Sequence, residues 1–362
     1  MSVFDHHDFR DHEQVVFWND PETGLKAIMA VHSTTRGPAL GGCRMWPYAS
    51  DAHALADVLR LSRGMTLKSA LANLPLGGGK AVIIGDPHGD KTPALMEGMG
   101  RAIESLNGRY IAAEDSGTSV IDLKRMNTVT RHVVGIADVP GWDGRMRYGD
   151  PSPATAFGCF VGIQSAVRHK LGRDSLEGIS VAIQGVGNVG RHLAALLDSA
   201  GAELYVCDLQ PDQVRLVAEL HGAKSVKGDA IFDLEVDVLA PCAMGAVLND
   251  DTIPRLRASI VAGSANNQLA QDHHGDVLAA RGILYAPDYA INAGGIIDVA
   301  SEYEGYDRKL VRRRLEGIGA TLDAIFTRAR ARGVSPHRIA DELAVQRLRA
   351  APRLALPLTR AA

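Results

Sequence analysis

Gly185-Val186-Gly187-Asn188-Val189-Gly190 sets glycine at the first, third and sixth places, directly after the apolar run Val181-Ala182-Ile183-Gln184. Val189, Leu193, Leu196 and Leu197 then recur at helical spacing, so the glycines fall in a strand-to-helix turn. In that setting the first glycine makes the tight turn, the second admits a pyrophosphate to the backbone, and the third lets helix and strand pack closely. The helix start adds N–H groups and a partial positive charge. Beyond Gly190, Asp208 ends the run Glu203–Asp208. A carboxylate there accepts hydrogen bonds from ribose hydroxyls and repels a 2′-phosphate. Its neighbours Leu209 and Gln210 offer phosphate no cation. The chemistry implied is dinucleotide binding, with NAD preferred to NADP.

A second set of candidates lies upstream: Lys68 in Gly64-Met65-Thr66-Leu67-Lys68, and Lys80 after Gly77-Gly78-Gly79. The latter resembles a triphosphate loop only superficially. The spacing puts Leu74 where that loop needs its first glycine, and Ala81 where it needs Ser or Thr. A single lysine is ordinarily a solvated surface charge. Two among apolar and glycine residues, in a chain with a nicotinamide-type site, call for a more specific reading than a solvated charge.

The elements that must position these groups follow from patterning. Val15–Asp20 and Leu25–Thr34, separated by Pro21 and Gly24, read as a hairpin. Residues 51–71 read as a helix with Asp51 near its start, residues 81–84 as a strand, 92–107 as a helix, and 110–115 as a strand ending in acid residues. The segment Tyr148-Gly149-Asp150-Pro151-Ser152-Pro153 suits an extended linker, with a helix beginning near Ala154. Strands then alternate with amphipathic helices, which points to a parallel sheet with crossover helices. Residues 309–349 are mostly helical. The fold class expected is α/β in two domains: a mixed-sheet substrate domain over 1–148 and a Rossmann dinucleotide-binding domain over 149–330. A C-terminal helical segment, 331–362, is expected to return to the first domain.

Long segments then make the chain recognisable. Leu40 to Ser50, Leu59 to Pro87, Tyr110 to Thr118, Gly149 to Gly158, Gln184 to Gly190, Ala240 to Asp250, Ile260 to Leu269 and Gly282 to Glu302 occur in the order found in one family. The chain resembles the glutamate/leucine/phenylalanine/valine dehydrogenases over about residues 15–350, most closely the leucine and valine branch. The resemblance implies NAD-linked, reversible oxidative deamination of an L-amino acid to a 2-oxo acid and ammonia. Residue by residue, it implies that Lys80 is the catalytic lysine and that Asp115 exchanges protons with the substrate amine. Lys68, assisted by Asn266, would bind the substrate carboxylate, and Gly41, Gly42 and Met65 would line the pocket. Leu40, Ala113, Ile296 and Val299 would form the side-chain pocket, which favours a branched aliphatic group such as that of leucine, valine or isoleucine. The cofactor set extends from Gly185, Val186, Gly187, Asn188, Val189, Gly190 and Asp208 to Gln184, Cys242, Ala243, Asn266 and Asn292. Two alternatives stand: a phenylalanine- or tryptophan-preferring member of the family, and a dinucleotide-binding sensor without turnover.

Composition bounds the remaining classes. Lys plus Arg at 39 against Asp plus Glu at 42 gives a formal charge of −3, which argues against a nucleic-acid or lipid-surface binder. The acidic, polar start is unlike a secretory signal, and no apolar run approaches the roughly 20 residues that span a bilayer. A cytoplasmic homo-oligomer acting on small molecules is expected, with no metal. Cys43 and Cys242 read as packing residues, and Asp5-His6-His7-Asp8 with His12 as a mobile polar terminus. His273-His274 reads as a helix start or loop, and Arg308 to Arg314 as a solvated or inter-subunit helix face.

Overall fold

The computed structural model describes residues 3–350. They form two compact units: 3–150 with 299–307 and 344–350, and 151–298 with 308–343.

The first unit begins with β1 (Gln14–Asp20) and β2 (Leu25–Ser33), the antiparallel hairpin that Pro21 and Gly24 turn. There follow β3 (Ala39–Trp46), α1 (Asp51–Leu71), β4 (Gly77–Ile84), α2 (Pro93–Glu104), β5 (Tyr110–Glu114) and α3 (Val120–Met126). The sheet order is β1-β2-β4-β3-β5, with β2 antiparallel to β4 and β3 parallel to both β4 and β5. This is the mixed sheet expected. The hydroxyl of Ser50 caps α1 by accepting from His53 N–H, an interaction worth about 1 kcal/mol. Ala54, Val58 and Leu59 of α1 pack on Ile28, Ala30 and Val82 across one sheet face. Met99 and Ile103 of α2 and Leu123 and Met126 of α3 close the other over Met29, Met45 and Ala81.

Two local expectations are corrected. Patterning starts a strand at Ala81, after a glycine loop, but β4 already runs through Gly77-Gly78-Gly79. The glycines are there because helix and ring come too close for side chains. A Cβ on Gly78 would overlap the Thr66 backbone of α1, and one on Gly79 would lie 2.7 Å from the Tyr110 ring. The polar N-terminus is also not loose throughout. His12 is buried, its Nε2 3.1 Å from Leu59 O and 3.0 Å from Ser62 Oγ of α1.

The second unit holds α4 (Ser152–Leu171), β6 (Ser180–Gln184), α5 (Asn188–Ser199), β7 (Glu203–Cys207), α6 (Pro211–His221), β8 (Lys224–Ser225), β9 (Val238–Pro241), β10 (Ile260–Val261), α7 (His273–Ala280), β11 (Leu284–Tyr285) and α8 (Asp288–Ile291). Its six strands are all parallel, in the order β11-β10-β9-β6-β7-β8. The chain leaves β6 toward β7 and β8, then returns to the other side for β9, β10 and β11. That reversal beside β6 is the point where doubly wound sheets bind ligands, at the carboxyl ends of their strands. His273 and His274 start α7.

The last elements are α9 (Gly294–Tyr303), α10 (Arg308–Arg332) and α11 (Pro336–Ala350). Both α9 and α11 are shared between the units, so the compact units do not follow the boundaries drawn at 148 and 330. Residues 299–307 belong with the first unit because the Glu302 carboxylate accepts from Gly135 N–H at 2.7 Å and Ile136 N–H at 3.1 Å, and pairs with Arg147. Within 331–362, residues 331–343 go with the second unit and 344–350 with the first, while 351–362 lie outside the described residues. Arg347 is tied there by Arg36 Nη1, which donates to its carbonyl at 2.9 Å, and by its own bond to Leu71 O. Among the described residues no helix is long and apolar enough to cross a membrane.

Candidate active site

Lys80 lies on β4 and Asp115 just past the end of β5, strands that are not neighbours in the sheet, since β3 lies between them. Their side chains nonetheless meet as an ion pair, Lys80 Nζ on Asp115 Oδ2. Gly42 of β3 makes this possible. A Cβ at Gly42 would lie 3.0 Å from Lys80 Nζ and 2.7 Å from Asp115 Cβ, filling the space through which the pair is made. Lys80 is 6% exposed. Asp115 follows the last residue of β5, and the turn that holds it is tightly bonded. Ser116 N–H donates to its Oδ1 at 2.7 Å, its own N–H donates to Thr118 Oγ1 at 3.1 Å, and Thr118 Oγ1 donates to Cys43 O at 2.8 Å. Burial acts to raise the Asp115 carboxyl, but the charges of Lys80 and then Arg44 outweigh it and hold the group at about 2. At neutral pH the site therefore presents a carboxylate that can attract an amine, beside an ammonium that can polarise a carbonyl.

Arg44 was missed by sequence reasoning. It sits on β3 with Nε 3.4 Å from Asp115 Oδ2 and Nη1 2.8 Å from Asp57 Oδ2 on α1. Asp57 also accepts from Tyr48 Oη at 2.7 Å and Arg60 Nη2 at 3.1 Å. Nothing in the local sequence marks Arg44, Tyr48, Asp57 and Arg60 as one cluster. They converge only when α1 lies back along the strands. Cys43, next to Arg44, is fully buried and free, its thiol pushed up to about 12 by burial and then by Asp115, consistent with a packing role.

Of the residues assigned to substrate, the first unit carries Lys68, Met65, Gly41, Gly42, Leu40, Ala113 and Val299. Lys68 is half-buried on the last turn of α1, and Met65 lies one turn earlier. A Cβ on Gly41 would approach Met65 Cγ to 3.3 Å, so Met65 lies against Gly41. Leu40 is two places before Gly42 on β3, and Ala113 pairs with Gly42 across β5. Val299 on α9 is buried beside Gly135. Ile296, also on α9 and buried, and Asn266 belong to the second unit. None of the four side-chain pocket residues carries a charge.

The dinucleotide candidates gather at the carboxyl end of β6. Gly185 has φ +95°, a left-handed conformation that favours glycine, and a Cβ there would come within 2.6 Å of Ala243 Cβ. A Cβ on Gly190 would overlap Gly185 O, so α5 packs on the turn only without one. At Gly187, the N-cap of α5, a Cβ would meet nothing within 4 Å. That open space over a helix N-terminus is where a pyrophosphate fits. Asp208 Oδ2 accepts from Val186 N–H at 2.8 Å and Oδ1 from Gln210 N–H at 2.9 Å, which braces the carboxylate against the glycine turn. Gln184 Oε1 and Asn292 Oδ1 are buried and unbonded, acceptors suited to a ligand amide. Asn292 Nδ2 donates to Asn266 Oδ1 at 2.8 Å, joining those two candidates. Cys242 N–H donates to Gln184 O at 2.7 Å, and Ala243 is exposed beside Gly185. These residues fit a dinucleotide cofactor.

Comparison with known proteins gives the family. The family model described as the Glu/Leu/Phe/Val dehydrogenase dimerisation domain matches residues 12–132, and that of the Glutamate/Leucine/Phenylalanine/Valine dehydrogenases matches 149–208 and 205–354. A leucine dehydrogenase of Bacillus cereus is 48% identical over 348 residues, covering 96% of this chain and 94% of the relative. A phenylalanine dehydrogenase of Caldalkalibacillus thermarum is 44% identical over 359 residues, covering 98% and 96%. The crystal structure of L-tryptophan dehydrogenase from Nostoc punctiforme matches with TM-score 0.82 at 43% identity, covering 94% of this chain and 97% of that one. The chain belongs to the glutamate/leucine/phenylalanine/valine dehydrogenase family and is an amino-acid dehydrogenase.

Proposed function

We propose that the protein deaminates a branched-chain L-amino acid, leucine before valine and isoleucine, to its 2-oxo acid and ammonia, reversibly and with NAD. The observation that carries the reading is the buried Lys80–Asp115 pair beside the Gly42 gap. Lys68 pairs with the substrate carboxylate. Asp115, held anionic, draws the substrate ammonium and takes a proton from it, leaving a free amine. The nicotinamide supplies the hydride acceptor for Cα. Lys80 then steers a water onto the resulting iminium carbon and stabilises oxygen charge as ammonia departs. Asp208, without a basic neighbour, supports NAD over NADP.

Leu40, Ala113, Val299 and Ile296 offer a glutamate side chain no partner, and burying an unpaired carboxylate costs several kcal/mol. One methylene is worth only about 1–3 kcal/mol, so the three branched substrates share the site. The 46–48% identity to leucine dehydrogenases supports the aliphatic choice. A homo-oligomer is part of the proposal, supported by the dimerisation domain of the family and by β1 standing at a sheet edge with Phe17 56% exposed. A cytoplasmic place of action is part of it too.

Measuring kcat/KM for leucine, valine, isoleucine, phenylalanine, tryptophan and glutamate with NAD and NADP tests the whole reading. Leucine with NAD should lead. A preference for phenylalanine or tryptophan would overturn the substrate choice, and absence of turnover with every amino acid would favour a sensor.

A further inference from the structure

We propose that Arg44 is a positioning residue for this reaction: from β3 it holds the Asp115 carboxylate, so that Asp115 keeps one orientation when the Lys80 ammonium turns to substrate. The inference rests on the function proposed above for Lys80 and Asp115, and it adds a residue to which none of the sequence motifs assigned a role.

The ion pair on its own cannot serve both substrate and carboxylate. Lys80 is paired with Asp115 in the absence of substrate. To act on a substrate oxygen or a water, its ammonium must spend part of its charge elsewhere. A buried carboxylate that loses its partner costs several kcal/mol and relaxes by rotating or taking up a proton. Either change spoils it as the group that meets the substrate amine. A second cation that never leaves solves the problem, and Arg44 has the geometry of one. Its Nε is buried 3.4 Å from the same Asp115 oxygen that Lys80 engages. Its other end is fixed by Asp57 at 2.8 Å, and Asp57 is fixed in turn by Tyr48 and Arg60. A planar guanidinium anchored by its hydrogen bond to Asp57, with Nε making no other hydrogen bond and lying at ion-pair distance from Asp115, cannot follow the substrate as a lysine can.

The bland alternative is that Arg44 merely neutralises Asp57. One hydrogen bond to Asp57 would satisfy that role and would leave Nε free to face elsewhere. Instead, the groups facing Asp115 divide cleanly. Lys80 from β4 and Arg44 from β3 are the cations. Cys43 of β3 and Tyr110 of β5 are pushed upward by burial and stay uncharged, and Glu114 of β5 is a like charge. Without Arg44, Lys80 is the one cation left among these to oppose burial.

The test uses the full-length protein labelled with 13C at aspartate carboxyls, the Asp115 signal being assigned by its loss in Asp115→Asn. In the wild type that signal should stay flat from pH 7 to pH 4. In Arg44→Met it should begin to protonate at the lower end of that range, a shift of about one unit or more. In parallel kcat with leucine should fall roughly tenfold or more, a loss of about 1.4 kcal/mol in transition-state stabilisation, with KM for NAD unchanged. Arg44→Lys should keep the signal flat and recover part of kcat. If Arg44→Met does not fold, Arg44→Gln, which keeps an N–H donor for Asp57, must show the same titration. A flat Asp115 signal in the uncharged variant overturns the inference, whatever happens to kcat. A wild type that oxidises no amino acid sinks the proposed function instead and leaves the carboxyl titration to be read on its own.

Discussion

Glycine serves opposite ends in the two units. Around β3 and β4, glycines are pressed by other groups: Gly78 by Thr66, Gly79 by the Tyr110 ring, Gly42 by Lys80 and Asp115. Their missing side chains make room for protein. At the start of α5, Gly187 faces empty space, and its missing side chain makes room for a ligand. One residue type thus reports a close approach already made in the first unit and one still to be made in the second. Composition cannot tell these apart, because the difference lies in what stands a few ångströms away.

Adding a single methyl at each place sharpens the contrast. The largest effect is expected for Gly78→Ala, where the methyl overlaps the Thr66 backbone and neither α1 nor β4 can yield. Overpacking of that kind costs about 3 kcal/mol, which lowers Tm by roughly 6–12 °C. A thermal melt within two degrees of wild type would mean that helix and strand can separate.

Gly42→Ala should fold, because its nearest neighbours are side-chain atoms, but it should lose most of kcat by parting Lys80 from Asp115. Losing the pair also has a pH signature. A carboxyl held at about 2, below its ordinary 3.8, contributes stability that is present above the ordinary value and lost as pH falls from about 4 toward 2. Acid unfolding of Gly42→Ala should therefore be flatter across that window. Full activity with an unchanged acid transition would contradict the gap argument.

Gly187→Ala is the mirror case. Its φ of −68° is open to alanine and no atom lies in the way, so Tm should be unchanged. Titration calorimetry should show NAD weakened by roughly tenfold, about 1.4 kcal/mol. Unaltered NAD affinity would remove the pyrophosphate from this turn. The smallest effect is expected for Gly64→Ala, inside α1 with nothing within 4 Å. Relief of unfolded-chain entropy should raise stability by about 0.4–1 kcal/mol with kcat unchanged. A drop in stability there would show that the face of α1 at Gly64 is not open in solution.

Much of this was legible in the chain. The strand-turn-helix around Gly185 to Gly190, the acid at 208 and the alternation after residue 154 depend on local periodicity and turn chemistry, which adjacent residues decide. The helix at 51–71 has both its cap and its apolar face in its own sequence. What was not legible depends on pieces far apart. β3 carries no strong pattern of its own, since Gly41 and Gly42 interrupt its apolar alternation. The glycine run before Lys80 looks like a loop until α1 and Tyr110 are laid against it. Segment 299–307 reads as part of the nucleotide lobe, yet Glu302 binds it to Gly135, Ile136 and Arg147, more than 150 residues earlier.

Sequence by itself determined the residue types of the chemistry, two lysines, an acid and a dinucleotide turn, and the family resemblance that named their roles. Those are properties of short segments, written into neighbouring positions. Tertiary structure alone decided that Lys80 reaches Asp115 across a third strand, and that Arg44 joins them while anchored on α1. It did so because a sheet orders its strands by pairing and not by chain position. Residues 35 places apart thereby come within hydrogen-bonding reach, and a glycine between them becomes the opening through which they touch.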